Sequence, residues 1–181
     1  RDDFTIVDNS GGSTPSATLP LVMGYKYFKD KRYLASAKQT ADYLEKVLIS
    51  KADYFSSTLD ANCEDKEASL YAATATYYLS LITKGEEHRH YADLTKKASY
   101  FALSWYYVWD VPFAQGQMLG DIGLKTRGWG NVSVENNHID VFVFEFASVL
   151  RWLSKEYAES RFSQFAEVIS TSMRQLLPHE G

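Results

Sequence analysis

Two apolar patterns alternate along this chain. Leu19, Leu21, Val22, Met23, Tyr25, Tyr27 and Phe28 go all the way round a helix. After a short turn at Lys29 to Arg32, Tyr33, Leu34, Ala37, Ala41, Leu44 and Leu48 form a single stripe. Lys38, Gln39, Asp42, Glu45 and Lys46 lie off that stripe, as on an amphipathic helix. The first helix is expected from Pro15, capped by Thr14, to about Phe28, with Pro20 early enough to be tolerated.

The same pair recurs twice. From Asp65 to Ile82, Ala68, Leu70, Ala72, Ala73, Ala75, Tyr78 and Leu79 leave almost no polar face. A turn at Lys84 to Glu87, containing Gly85, precedes the stripe Tyr91, Leu94, Ala98, Phe101, Ala102 and Trp105. The third unit predicts a buried helix from Ile139 to Leu153 and an outer stripe of Phe162, Phe165, Ala166, Ile169 and Met173, stopped by Pro178. The run Asp140 to Phe144 is β-branched and aromatic and alone reads as a strand. The length of the apolar pattern favours helix.

The expected fold is therefore all-α. Three consecutive α-helical hairpins cover residues 14–177, each with a buried inner helix and an amphipathic outer one, after a polar tail or loop at 1–13. The whole chain, 1–181, reads as a single domain. Tyr33, Tyr91 and Phe162 look equivalent, and their unequal spacing puts extra residues in the segment from Val108 to Asn137. So long an irregular segment in a small domain usually has a functional reason.

Composition narrows the function class. A chain of 181 residues with 45% hydrophobic content can bury a sizeable core. The formal net charge is −4 and no Lys/Arg run stands out, which argues against nucleic acid. No apolar stretch reaches the roughly 18 residues of a membrane span. Cys63 is the one cysteine, so no internal disulfide forms, and its ordinary role is a small buried residue. His88 and His90 with Glu86 and Glu87 lack a second ligand pair, so neither a metal nor a cofactor is expected. The chain opens on Arg1 and reads as a piece of a longer precursor.

Each inner helix follows a polar loop: Val7 to Ser13, Leu59 to Glu67, and Gly130 to Asp140. Stacked hairpins would gather these loops at one end, where carboxylates, amides, a histidine and aromatic rings share a rim. Helix N-termini favour negative charge.

The alternation of buried and amphipathic helices resembles the six-hairpin glycosidase superfamily, the (α/α)6 toroids. Three segments resemble bacterial glycoside-hydrolase-like proteins of that class: Asp60 to Ala68, Trp105 to Pro112, and Thr126 to Gly130 with Glu135 to Asp140. A full toroid has six hairpins and this chain has three, so the resemblance implies a partial α/α toroid, about half of a larger domain. It also implies apolar inner faces left open to self-association or a missing half-domain, and a periplasmic or secreted setting.

The activity so implied is glycosidic-bond cleavage by two carboxyl groups on an oligo- or polysaccharide, one acid and one base or nucleophile. Whether the chain is itself an enzyme is left open; the alternative is a non-catalytic domain of this type that binds glycan or a partner protein. Asp60 is the preferred base, or else it or Asn62 caps a helix. Asp110, beside Trp109, is the preferred acid, since a dry aromatic setting raises a carboxyl pKa. Substrate contacts are expected from Glu64, Trp109, Arg127, Trp129, Glu135, Asn137 and His138. Trp109 and Trp129 could stack on sugar rings or pack the loop down. Arg127 could clamp an acidic sugar or pin the loop to an Asp. His138 could bond a sugar hydroxyl or close a helix end.

Overall fold

The structure is a computed structural model that describes residues 17–54, 63–134, 139–140 and 144–178. The chain is all-α, built of helical hairpins. Helices α1 (Thr18–Phe28) and α2 (Lys31–Leu44) form the first, α3 (Lys66–Ser80) and α4 (Gly85–Leu103) the second. A single helical turn, α5 (Met118–Asp121), punctuates the long connection. Helices α6 (Phe144–Glu156) and α7 (Ser160–Met173) form the third hairpin. Each hairpin packs chiefly on itself. Between hairpins α1 meets α3 and α3 meets α6, while α2 touches α3 and α4 touches α6. This gives an inner row, α1–α3–α6, backed by outer helices. No helix among the described residues is long and apolar enough to cross a membrane.

Local chemistry sets the helix ends. Helix α1 stops where Lys29 turns left-handed (φ 57°) and returns its N–H to the Tyr25 carbonyl. Asp30 starts α2 by accepting from the Arg32 N–H at 2.9 Å. Helix α2 widens into a π turn at Glu45–Ile49, which buries Leu48 and Ile49. Asp65, itself buried, caps α3 by accepting from the Glu67 N–H at 2.6 Å. So the cap is neither Asp60 nor Asn62, which lie outside the described residues.

Helix α3 is the centre of the core. Its Ala68, Ala72, Ala73, Ala75 and Leu79 pack with Leu44, Leu48, Leu94 and Ala98, while its Leu70 joins Leu150, Leu153, Phe162 and Ile169. Alanines let α1, α4 and α6 approach it closely. Two of the polar side chains this brings inside pair with each other: Thr95 Oγ1 lies 2.9 Å from Thr76 Oγ1, and the Thr76 hydroxyl donates to the Ala72 carbonyl.

The structure departs from the expected elements in three places. Helix α1, apolar all round, buries only Thr18 and Val22 and leaves Met23, Tyr27 and Phe28 exposed, because among the described residues only α2 and α3 pack against it. Ile139 and Asp140 are not helical. They form strand β2, antiparallel to β1 (Gly130–Asn131), and the helix begins at Phe144. Backbone pairing here outweighs the continuity of the apolar run. Gly85 opens α4 rather than closing α3, so Tyr91 lies deeper in its helix than Tyr33 or Phe162 does in theirs.

Candidate functional site: the loop rim

Backbone hydrogen bonds draw the connections before α3 and α6 together at one end of the hairpins. Residues 126–134 run as a ribbon between two others. On one side the Tyr107 N–H donates to the Trp129 carbonyl at 2.8 Å, and the Gly128 N–H to the Tyr107 carbonyl at 2.9 Å. On the other, the Lys66 N–H donates to the Val132 carbonyl at 2.9 Å, and the Val134 N–H to the Glu64 carbonyl at 3.3 Å. The ribbon thus ties the start of α3 to the end of α4.

Below it lies Lys66, a fully buried lysine that no motif in the sequence picks out. Its ammonium sits 5.3 Å from the centre of the Tyr106 ring. Its side chain runs against Gly130, where an added Cβ would lie 3.2 Å from Nζ. The sequence gives little signal for it: a lysine among acidic residues at the first position of a helix that turns apolar only afterwards.

At the α3 end, the Tyr54 N–H donates to Glu64 Oε2 at 2.9 Å, and the Asp65 N–H to the Tyr54 carbonyl at 2.8 Å. The Glu64 carboxyl is raised from its ordinary value, first by burial and then by Asp53 alongside, against the opposing pull of the Tyr54 N–H. Burial also pushes the Tyr54 phenol upward.

At the α4 end, the Arg127 N–H donates to Asp110 Oδ1 at 3.1 Å and its guanidinium to Oδ2 at 3.2 Å. The Arg127 N–H, more than any other group, holds the Asp110 carboxyl below its ordinary value, and Arg127 and Lys125 add their charge. The acid role expected for Asp110 does not fit these surroundings. Its neighbour Trp109 is exposed, not a dry wall, so Asp110 stays ionised.

The remaining candidates divide. Arg127 pins the loop to Asp110, while its side chain stays 57% exposed. Trp129 is 3% exposed and packs the ribbon down, so it offers no face to a sugar ring. Trp109 is 60% exposed, edge-on to Tyr107, whose hydroxyl donates to Asn131 Oδ1 at 2.7 Å. Asp60, Glu135, Asn137 and His138 lie outside the described residues.

The laced loop also makes a groove against α7. Asp110, Lys125, Arg127, Glu167, Val168, Thr171, Ser172 and Gln175 line a cavity of about 540 Å³, a size suited to a small molecule. Away from the rim, His88 Nε2 meets Glu156 and His90 Nε2 meets Glu45, each at 2.9 Å. No cluster of metal-binding side chains occurs among the described residues. No family model, curated protein or solved structure matches the chain.

Proposed function

We propose that this chain is a non-catalytic helical-hairpin domain that binds carbohydrate at its loop rim. The observation that carries the reading is Trp109: a large ring, 60% exposed, held on a laced loop beside hydrogen-bonding groups at Asp110, Arg127 and Asn131. A flat apolar face flanked by fixed polar groups matches a sugar ring, which has both kinds of surface. The likeness to six-hairpin glycosidases supports the same ligand class.

The two-carboxylate reading fares less well on the described residues. Glu64 and Asp110 have pKa values displaced in opposite directions, as an acid and base need. They are, however, tied to opposite ends of the ribbon, Asp110 near Arg127 and Glu64 at Val134. Those two anchor points are seven residues apart, and the Glu64 carboxyl itself accepts from the Tyr54 N–H. Carboxyls flanking one glycosidic bond sit roughly 5–10 Å apart.

Titration of tryptophan fluorescence with a panel of soluble oligosaccharides tests the proposal. Saturable quenching by at least one sugar, abolished in Trp109→Ala, is the expected result. An unresponsive wild-type protein across the panel sinks it. Turnover of any panel member, lost in Glu64→Gln, would restore the hydrolase reading.

A further inference from the structure

The groove between the laced loop and α7 has a charge balance that selects among sugars. Asp110 is neutralised by Arg127, with its guanidinium 3.2 Å away. Glu167, on the opposite wall, is engaged by Arg151 Nη2 at 2.9 Å and Nε at 3.1 Å. That leaves Lys125, which has no ion-pair partner among the described residues, and the unused N–H edge of Arg127. With Arg151 counted behind Glu167, the groove holds three basic side chains against two acidic ones, on a chain of net charge −4.

It is also preformed. Gln175 clamps the backbone of Lys125 on both sides, accepting from its N–H at 2.8 Å and donating to its carbonyl at 2.9 Å. The Ser172 hydroxyl donates to the Arg127 carbonyl. Gly128 lets the loop lie directly on α7, because a Cβ there would come within 2.9 Å of the Val168 carbonyl oxygen. Both basic side chains thus leave from a backbone fixed to a helix, which lowers the ordering cost of binding.

We infer that this groove takes the carboxylate of an acidic saccharide, a uronic-acid residue, with Lys125 and Arg127 as its cationic contacts. The inference rests on the carbohydrate reading above and adds the sugar class. Arg127 presents a planar donor edge suited to a carboxylate, and Lys125 supplies a second charge. Val168 and Thr171 complete the groove on its α7 side.

Affinity for oligogalacturonate and for a neutral xylo-oligosaccharide of the same length should be compared by calorimetry at low and moderate salt. The probe variant is Lys125→Glu, which leaves the backbone clamp by Gln175 intact and so the fold. Glu167→Gln is its opposite. Wild type should prefer the acidic oligomer, Lys125→Glu should lose about tenfold in affinity for it, and Glu167→Gln should gain. Neutral-sugar binding that needs Trp109, with no acidic preference, overturns this inference and leaves the carbohydrate reading standing. Acidic-oligomer binding that ignores both Lys125→Glu and Glu167→Gln overturns it too. Binding of neither oligomer by a folded wild type overturns the inference, and the wider panel then decides the carbohydrate reading.

Discussion

Arg127 grips Asp110 twice, through its backbone N–H at 3.1 Å and its guanidinium at 3.2 Å. The backbone bond survives substitution at Arg127 but not loss of the Asp110 acceptor. Asp110→Ala should therefore speed amide exchange across residues 107–128 more than Arg127→Ala does. The folded carboxyl titrates below its ordinary 3.8. Its stabilising contribution is thus present above pH 3.8 and lost as pH falls through the depressed folded value. Hydrogen-exchange NMR on the two variants, with a carboxyl titration of the wild type, checks both points. Equal exchange in the two variants would show that the guanidinium, not the backbone bond, holds the loop.

Gly128 and Gly123 separate two costs of replacing a glycine. Both have positive φ, 86° and 73° respectively. A Cβ on Gly123 meets nothing within 4 Å, whereas one on Gly128 meets the Val168 carbonyl oxygen and Ser172 Oγ at 2.9 Å. Gly123→Ala should cost about 1 kcal/mol from backbone strain alone. Gly128→Ala should cost about 2 kcal/mol or more and lift the loop off α7. Urea unfolding gives the comparison, and equal losses would mean the loop does not lie on α7 as described.

Much of the fold can be read from periodicity, for a physical reason visible in α3. A helix with protein on nearly every side has no use for a polar face, and Ala68 to Leu79 show none. The same pattern misleads in α1, where Met23 and Tyr27 are apolar and exposed. Periodicity reports what a face tolerates, not whether a neighbour covers it. Asp140 was misplaced because the pairing that makes it a strand involves Asn131 and Gly130, distant in sequence. The site was less legible than the fold. Trp109 and Trp129 look alike in sequence, yet one is exposed and the other buried, a difference set by the ribbon alone. Lys66 stands among acidic residues in the sequence, and nothing local says that β1 lies over it.

The contrast between α3 and α1 makes a stability prediction. Ala73 is fully buried in the centre of the row, and Met23 is 53% exposed at its end. Ala73→Leu should destabilise by about 1–3 kcal/mol through overpacking. Met23→Lys should change stability by less than about 0.5 kcal/mol. Thermal melts of both, with sedimentation of Met23→Lys against wild type, test the arrangement. A large loss in Met23→Lys would mean that a second chain covers α1.

Glu64 carries a pH effect of opposite sign to that of Asp110. Its folded carboxyl lies above the ordinary 4.5. The protonated form is favoured in the fold, so this contribution is full below pH 4.5 and lost as pH rises through the folded value. Glu64→Gln keeps an oxygen for the Tyr54 N–H without the charge. It should melt above wild type at pH 7, with the gap closing below pH 4.5. A gap that stays constant with pH would remove the carboxyl as its source.

His88 provides the complementary test at the far end of the hairpins. Both of its ring nitrogens face acceptors: Nδ1 is 2.8 Å from the Ser80 carbonyl and Nε2 is 2.9 Å from Glu156 Oε1. Only the imidazolium has an N–H for each. The Ser80 carbonyl first, then Glu156, raises its pKa above the ordinary 6.5. The added stability is full below pH 6.5 and lost as pH rises through the raised folded value. This contact joins α3 and α4 to the end of α6, so its loss loosens the seam between the second and third hairpins. His88→Gln should therefore melt below wild type at pH 5.5 and approach it at pH 8.5. Glu156→Gln should weaken the same pH dependence while leaving the Ser80 bond in place. A wild-type minus His88→Gln difference that does not shrink with pH would mean that His88 stabilises the seam by packing on Trp152, whose ring centroid lies 6.3 Å away, and not by its charge.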